Sequence, residues 1–401
     1  MARPNYTRKD YGYFIARLSL VRLGMALRPG MRKWAWVGAL LVICSLLVNP
    51  MSHILFALRI GLSLQKLASG APEQNTGVLE ARIHRQAGTQ NYDALTYRRA
   101  KSPATKAIVL VAGLSELGCY HPRLVALSKI LAGNGLFVIT PDIREFRDFQ
   151  ITAEPIDQIL FWYKEASKLE GGETIQKTGL AGVSFSATLA LMAAAKPEIR
   201  DHVGFFVGIG PYANLARCTR GWFAADPAAV PKSYYPTRFY AKWIVMRSAL
   251  EMVASEKDRL FLRKVLDKLL RQKEALPADP GLTAEGARWY ALAVMSENQT
   301  DAELVVKIEQ YLTLRIYPQL NPDDAVNHLR CPAFLIHGAY DDLIPPEESM
   351  ELHRRLSHAY LLISPFLTHT HPTDKQLSLG QKARAAMDII VFSYHLSRAI
   401  R

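Results

Sequence analysis

From about residue 78 onward, short apolar runs alternate with longer segments of helical period. Residues 107–111 are continuously apolar and stop at Ala112-Gly113, the pattern of a strand buried on both faces. Residues 136–140, the segment ending at Val183, and residues 202–209, 333–337 and 360–363 read the same way. The more polar runs 78–85 and 92–99 read as edge strands. Helical periodicity is expected over 121–132, over 156–169, in the Ala/Leu-rich stretch after Ser184, and over 377–400. This order predicts an α/β fold: a mostly parallel, doubly wound sheet with helices on both faces. The alternation lapses over 212–328, which is helical throughout. The first half of that stretch is aromatic, with Trp222, Phe223, Tyr234, Tyr235, Phe239, Tyr240 and Trp243. A helical cap inserted late in the sheet domain (78–401) is the expectation, serving as a lid over an apolar pocket or simply filling its own core.

The first 77 residues follow a different pattern. Residues 34–48 carry no charge and begin with Trp34 and Trp36, as a segment at a headgroup interface does. Extended through Pro50 to residue 58, the run reaches the roughly 20 residues needed to span a bilayer, so 34–58 is expected to be an N-terminal hydrophobic anchor helix. Residues 1–33 are basic and amphipathic, and 59–77 form an amphipathic linker. The main alternative is a buried or interfacial helix; a cleaved signal peptide fits less well, because the basic region is long and no small-residue cleavage site follows closely. For a single pass, the basic flank places the N-terminus on the cytoplasmic side; a hairpin using the second amphipathic stretch would reverse this.

Composition refines this reading at two points. The net charge of +13 is concentrated before residue 34, where eight Lys and Arg face the single acid Asp10. No nucleic-acid-binding motif accompanies it, so a membrane surface explains the basicity better than nucleic acid. Of the four cysteines, Cys44 lies in the apolar run; Cys119, Cys218 and Cys331 are widely spaced with no C-x-x-C. They read as core thiols rather than a disulfide or metal framework.

The chemistry centres on Gly179-Leu180-Ala181-Gly182-Val183-Ser184-Phe185-Ser186-Ala187. A buried strand stops at a glycine, exposes one serine and re-enters as a helix, the geometry a nucleophilic serine needs. In open parallel sheets functional groups collect at the carboxyl ends of strands. Two later strand ends carry matching groups. One is Gly338-Ala339-Tyr340-Asp341-Asp342, whose carboxylate could orient an imidazole. The other is Thr368-His369-Thr370-His371, which offers a general base. A Ser…Asp…His order results, with the helical insert filling the long first interval.

Over residues 78–401, on the strings GVSFS, HGAYDDLIP and THTH, the chain resembles the α/β-hydrolase superfamily. The resemblance implies Ser184 as nucleophile and Asp341 as acid, with Asp342 the alternative. His369 is implied as base because it comes first after the strand, with His371 the alternative. The backbone N–H groups of Leu114 and Phe185 are implied as the oxyanion hole. Two departures stand out: Ser186 replaces the last glycine of G-x-S-x-G, and Ala112-Gly113 replaces the His-Gly of many members. No cofactor is implied, and no ligand cluster supports a metal at the His-x-His pair. Glu116 and Tyr120 lie near the site, where solvated loop positions are favoured over pocket lining; for Asp142, Arg144 and Arg147 a surface salt-bridge cluster is favoured over an anion pocket.

The expected function is a membrane-associated serine hydrolase of carboxylic esters with lipid-like or acyl substrates. Its partners would be a small-molecule or lipid ester and the membrane, not nucleic acid. Alternatives within the fold are a peptidase or amidase, a thioesterase, or an acyltransferase. From another class comes a catalytically silent, membrane-tethered binding module, which the complete Ser, Asp and His set disfavours.

Overall fold

A computed structural model describes residues 77–101, 103–169, 175–223, 235–294, 301–369 and 376–400. The basic segment 1–33, the anchor expected at 34–58 and all but the last residue of the 59–77 linker lie outside the described residues. Among the described residues no helix is long and apolar enough to cross a membrane.

Eight strands form one sheet: β1 (Val78–Ala87), β2 (Gln90–Arg99), β3 (Lys106–Val111), β4 (Phe137–Pro141), β5 (Lys177–Val183), β6 (Val203–Ile209), β7 (Ala333–Gly338) and β8 (Ala359–Ser364). Their order is β1-β2-β4-β3-β5-β6-β7-β8. Both pairings of β2 are antiparallel and all others are parallel. The expectation that residues 92–99 form an edge strand is therefore corrected: β2 lies between β1 and β4. Its central residues, Ala94 to Tyr97, are buried, and only β1 is the polar edge.

The helices are α1 (Pro122–Gly133), α2 (Arg144–Arg147), α3 (Pro155–Ala166), α4 (Phe185–Ala194), α5 (Leu215–Phe223), α6 (Tyr235–Ser248), α7 (Glu256–Gln272), α8 (Ala284–Val294), α9 (Ala302–Arg315), α10 (Ala325–His328), α11 (Pro346–Arg355) and α12 (Leu379–Ile400). Side chains alternate across a strand, so β3 supplies Ala107, Val109 and Val111 to one core and Ile108 and Leu110 to the other. The first core holds the buried faces of α3, α4 and α11; the second holds those of α1 and α12. Helices thus cover both faces, which is why β3 and β4 are almost wholly apolar.

Helices α5 to α10 occupy the interval between β6 and β7, where the periodicity predicted a helical cap. Its entry is held by charge. Glu348 of α11, 1% exposed at its side chain, accepts 2.9 Å bonds from the amides of Ala213 and Asn214 and a 2.5 Å bond from Arg217 Nε. Glu348→Ala would leave two amides without an acceptor and a guanidinium without its partner. The half-exposed Arg217 can turn to water, so the loss comes from the stranded amides, about 2 kcal/mol, which denaturant melts should read as a loss of stability. A change below about 1 kcal/mol would show that water replaces the carboxylate.

Candidate active site

The turn after β5 forms because its small residues let strand and helix pass at close range. A Cβ on Gly182 would lie 2.6 Å from the Ser186 carbonyl oxygen and 2.7 Å from Ala187 Cα, so no side chain fits. Ser184 is forced to φ 61°, ψ −131°, a left-handed conformation costly for a residue with a Cβ. Its N–H donates to the Ile209 carbonyl at 2.7 Å, tying the turn to the end of β6. Its own carbonyl accepts from Ala187 N–H at 2.9 Å as α4 begins.

The departure at Ser186 has a structural reason. Its fully buried hydroxyl accepts from Val183 N–H at 3.2 Å and lies within reach of the carbonyls of Val183 (2.9 Å) and Val111 (3.2 Å). A glycine would leave the Val183 amide without this acceptor. Serine braces the turn from inside.

The three residues named from the sequence meet at the carboxyl ends of their strands. Ser184 Oγ is 2.9 Å from His369 Nε2, and His369 Nδ1 is 2.8 Å from Asp341 Oδ2. A carboxylate only accepts, so Nδ1 carries the proton and Nε2 is left to accept the serine hydroxyl hydrogen. Asp341, rather than Asp342, makes this contact. His371 lies outside the described residues.

Asp341 is 3% exposed. Its Oδ1 accepts from the amides of Leu343 (2.9 Å) and Ile344 (2.8 Å). Burial alone would raise its pKa, but the His369 charge and hydrogen bonds from His337 and His369 outweigh it, holding the carboxyl well below its usual range. Burial would likewise lower the pKa of His369. The Asp341 charge and hydrogen bond, with the Asp342 charge, outweigh it and raise the imidazole pKa.

The oxyanion donors expected at Leu114 and Phe185 lie in the loop after β3 and directly after Ser184. Phe185 is the first residue of α4, where an amide has no intrahelical acceptor. Gly113, just before Leu114, is pressed on the turn: a Cβ there would lie 3.1 Å from the Val183 carbonyl oxygen and 3.5 Å from Ser184 Cβ. Neither amide donates to a backbone carbonyl among the described residues. Nearby, Arg147 pairs with Asp142 and Arg144 with Asp148, both at 3.3 Å, and Arg147 lies 6.0 Å from the Tyr120 ring centre. These are the surface pairs expected. Glu116 instead reaches the cap, 2.8 Å from Arg271 of α7.

Several participants escaped the sequence reading. His337, fully buried, approaches Asp341 Oδ2 at 3.3 Å; its Nε2 donates to the Ile344 carbonyl at 2.8 Å, so Nδ1 accepts from Ser349 at 2.6 Å. The same Nε2–H thus faces both the Ile344 carbonyl and the Asp341 carboxylate. The place of His337 at the end of an apolar strand was the available signal, since a buried histidine needs partners. Helix α11, which carries Ser349 and Glu348, was also missed. Its sequence PEESMELHRR has little apolar period, and only the leading proline, early acids and late bases mark it. Cys119, Cys218 and Cys331 are free and buried, and burial pushes the thiols of Cys119 and Cys331 up to about 12. They are core thiols, as expected.

The chain matches no protein-family model and no curated protein. Among solved structures it is similar to an acylaminoacyl peptidase from Pyrococcus horikoshii, at 13% identity and TM-score 0.47, over 81% of this chain and 42% of that one. It is also similar to Est1E from Butyrivibrio proteoclasticus, at 16% identity and TM-score 0.44, over 81% of this chain and 99% of that one. Carboxyl esterase 2 from the fungus Tuber melanosporum aligns at 13% identity and TM-score 0.42, over 82% of this chain and 89% of that one. The chain spans about two-fifths of the peptidase's length. Its functional reading rests on the site's own geometry.

Proposed function

We propose that this chain is a serine hydrolase of carboxylic esters, with Ser184 as nucleophile, His369 as general base and Asp341 as the acid that orients it. The observation that carries the reading is the unbroken relay from Ser184 Oγ through both ring nitrogens of His369 to a buried carboxylate. Ser184 Oγ attacks the ester carbonyl carbon while its proton passes to His369 Nε2. The oxygen's developing negative charge is met by the amides of Leu114 and Phe185. Collapse expels the alcohol, which takes the proton from His369. Water, deprotonated by the same nitrogen, then releases the acid and restores Ser184.

Lipid-like or acyl esters are proposed because the half of the cap that follows β6 is aromatic in sequence, and its Tyr240 reaches the Leu114 carbonyl beside the nucleophile turn at 3.0 Å. The basic, apolar N-terminus supports membrane association, with the N-terminus cytoplasmic for a single pass.

A fluorophosphonate probe, applied to membrane and soluble fractions, is expected to label the wild type, mainly in membranes, and not Ser184→Ala. Equal labelling of both proteins would overturn the assignment. p-Nitrophenyl esters of increasing chain length, run beside peptide and thioester substrates, define the acyl group. Preference for a peptide or thioester would replace the ester reading.

A further inference from the structure

We propose that Tyr240 is a positioning residue through which the helical cap sets the Leu114 oxyanion donor. The inference rests on Ser184 being the nucleophile and deepens that reading by giving the cap a part in the chemistry.

The peptide linking Leu114 to Ser115 is gripped at both ends. Its carbonyl accepts from the Tyr240 hydroxyl at 3.0 Å, and its N–H donates to the Phe146 carbonyl at 3.2 Å. A peptide is planar, so bonds at both ends restrain it as one rigid unit. On the other side of Leu114, Gly113 is wedged against Val183 and Ser184. The Leu114 amide therefore lies between one peptide packed on the nucleophile turn and another pinned by the cap and α2. Oxyanion stabilisation depends on donors aimed before the reaction begins. Of the two bonds that aim this one, the Tyr240 bond comes from outside the sheet domain.

Tyr240 is itself held in place. Its ring meets Phe149 edge-on at 5.7 Å, and Phe149 is buried at a left-handed φ of 53°. Arg271 of α7 lies 5.6 Å from the Phe149 ring centre and bridges Glu116 at 2.8 Å and Asp148 at 3.5 Å. Two cap side chains thus grip the loop at two points, Leu114 and Glu116. Burial, reinforced by the Glu116 charge, raises the Tyr240 pKa well above the usual phenol value, so the hydroxyl keeps its proton.

The test is Tyr240→Phe, which keeps the ring and removes the donor. With p-nitrophenyl butyrate, kcat is expected to fall about 10- to 100-fold while KM stays within about twofold; loss of an oxyanion donor outright costs about 100- to 1000-fold. The ester is then compared with its O-thiono counterpart, whose sulfur is a poor oxyanion acceptor. The wild type's preference for the ester should shrink in Tyr240→Phe by a factor similar to the fall in kcat. A structural role would lower activity or melting temperature and leave that preference intact, which would overturn the proposal. The second-order rate of fluorophosphonate labelling, which reports only folded protein, should fall in parallel. Equal rates in variant and wild type would overturn the role of Tyr240 alone. A wild type that resists the probe would overturn the nucleophile assignment and this inference with it.

Discussion

Ser184→Ala is expected to lower turnover of an activated ester by about 10⁴- to 10⁶-fold while leaving the protein folded. Removal of Oγ takes away the atom that forms the acyl bond, and neither His369 nor Asp341 can replace it. The stability side is equally specific. Ser184 sits at φ 61°, ψ −131°, where a Cβ is costly by about 1–3 kcal/mol. Alanine keeps that cost, but Ser184→Gly removes it. The glycine variant should therefore be as inactive as the alanine one yet more stable by about 1 kcal/mol, after the greater chain entropy of glycine is allowed for. Burst-free kinetics and denaturant melts on both variants check this. Residual activity within tenfold of wild type would remove Ser184 from the nucleophile's role.

Asp341→Asn should cost about 10⁴-fold in kcat, because an amide presents a donor where His369 Nδ1–H needs an acceptor and favours the wrong tautomer. The same variant shifts the pH profile. His369 acts as a base only when neutral, and Asp341 raises its pKa. The acid limb of kcat/KM in the wild type should lie above the ordinary histidine value of about 6.5, with activity rising as pH increases through it. Without the carboxylate charge the limb should move down. Stability responds with opposite signs at the two groups. The raised His369 pKa adds stability below the unfolded value near 6.5, lost as pH rises through the folded value. The depressed Asp341 pKa adds stability above the unfolded value near 3.9, lost as pH falls through the folded value. An acid limb in Asp341→Asn unmoved from the wild type would mean another group sets the histidine.

Much of this architecture was legible in order along the chain. Apolar runs such as residues 107–111 ending in Ala-Gly mark strands buried on two faces, and that depends only on local sequence. Where a strand's residues face neighbours on both sides, the pattern alone does not reveal it. The sequence at 92–99 is polar at both ends, and its interior position emerged only because β4 pairs with it. The elements missed, α2 and α11, are short or polar, so little apolar period exists to find.

The site divides along the same line. Ser184, Asp341 and His369 could be named because each follows the end of a strand within a few residues, and parallel strands bring their carboxyl ends together. Gly182 and the serine after it were equally readable, since the turn's sterics are local. The choice of Asp341 over Asp342 came from the family resemblance, but its physical reason is tertiary: a loop conformation decides which adjacent carboxylate meets the imidazole, and here Leu343 and Ile344 amides capture Asp341. The grip of Tyr240 on Leu114, separated by 126 residues, could not be read from either segment. Local patterns specify which residues can do chemistry; long-range packing specifies which donors and acceptors come within about 3 Å of one another.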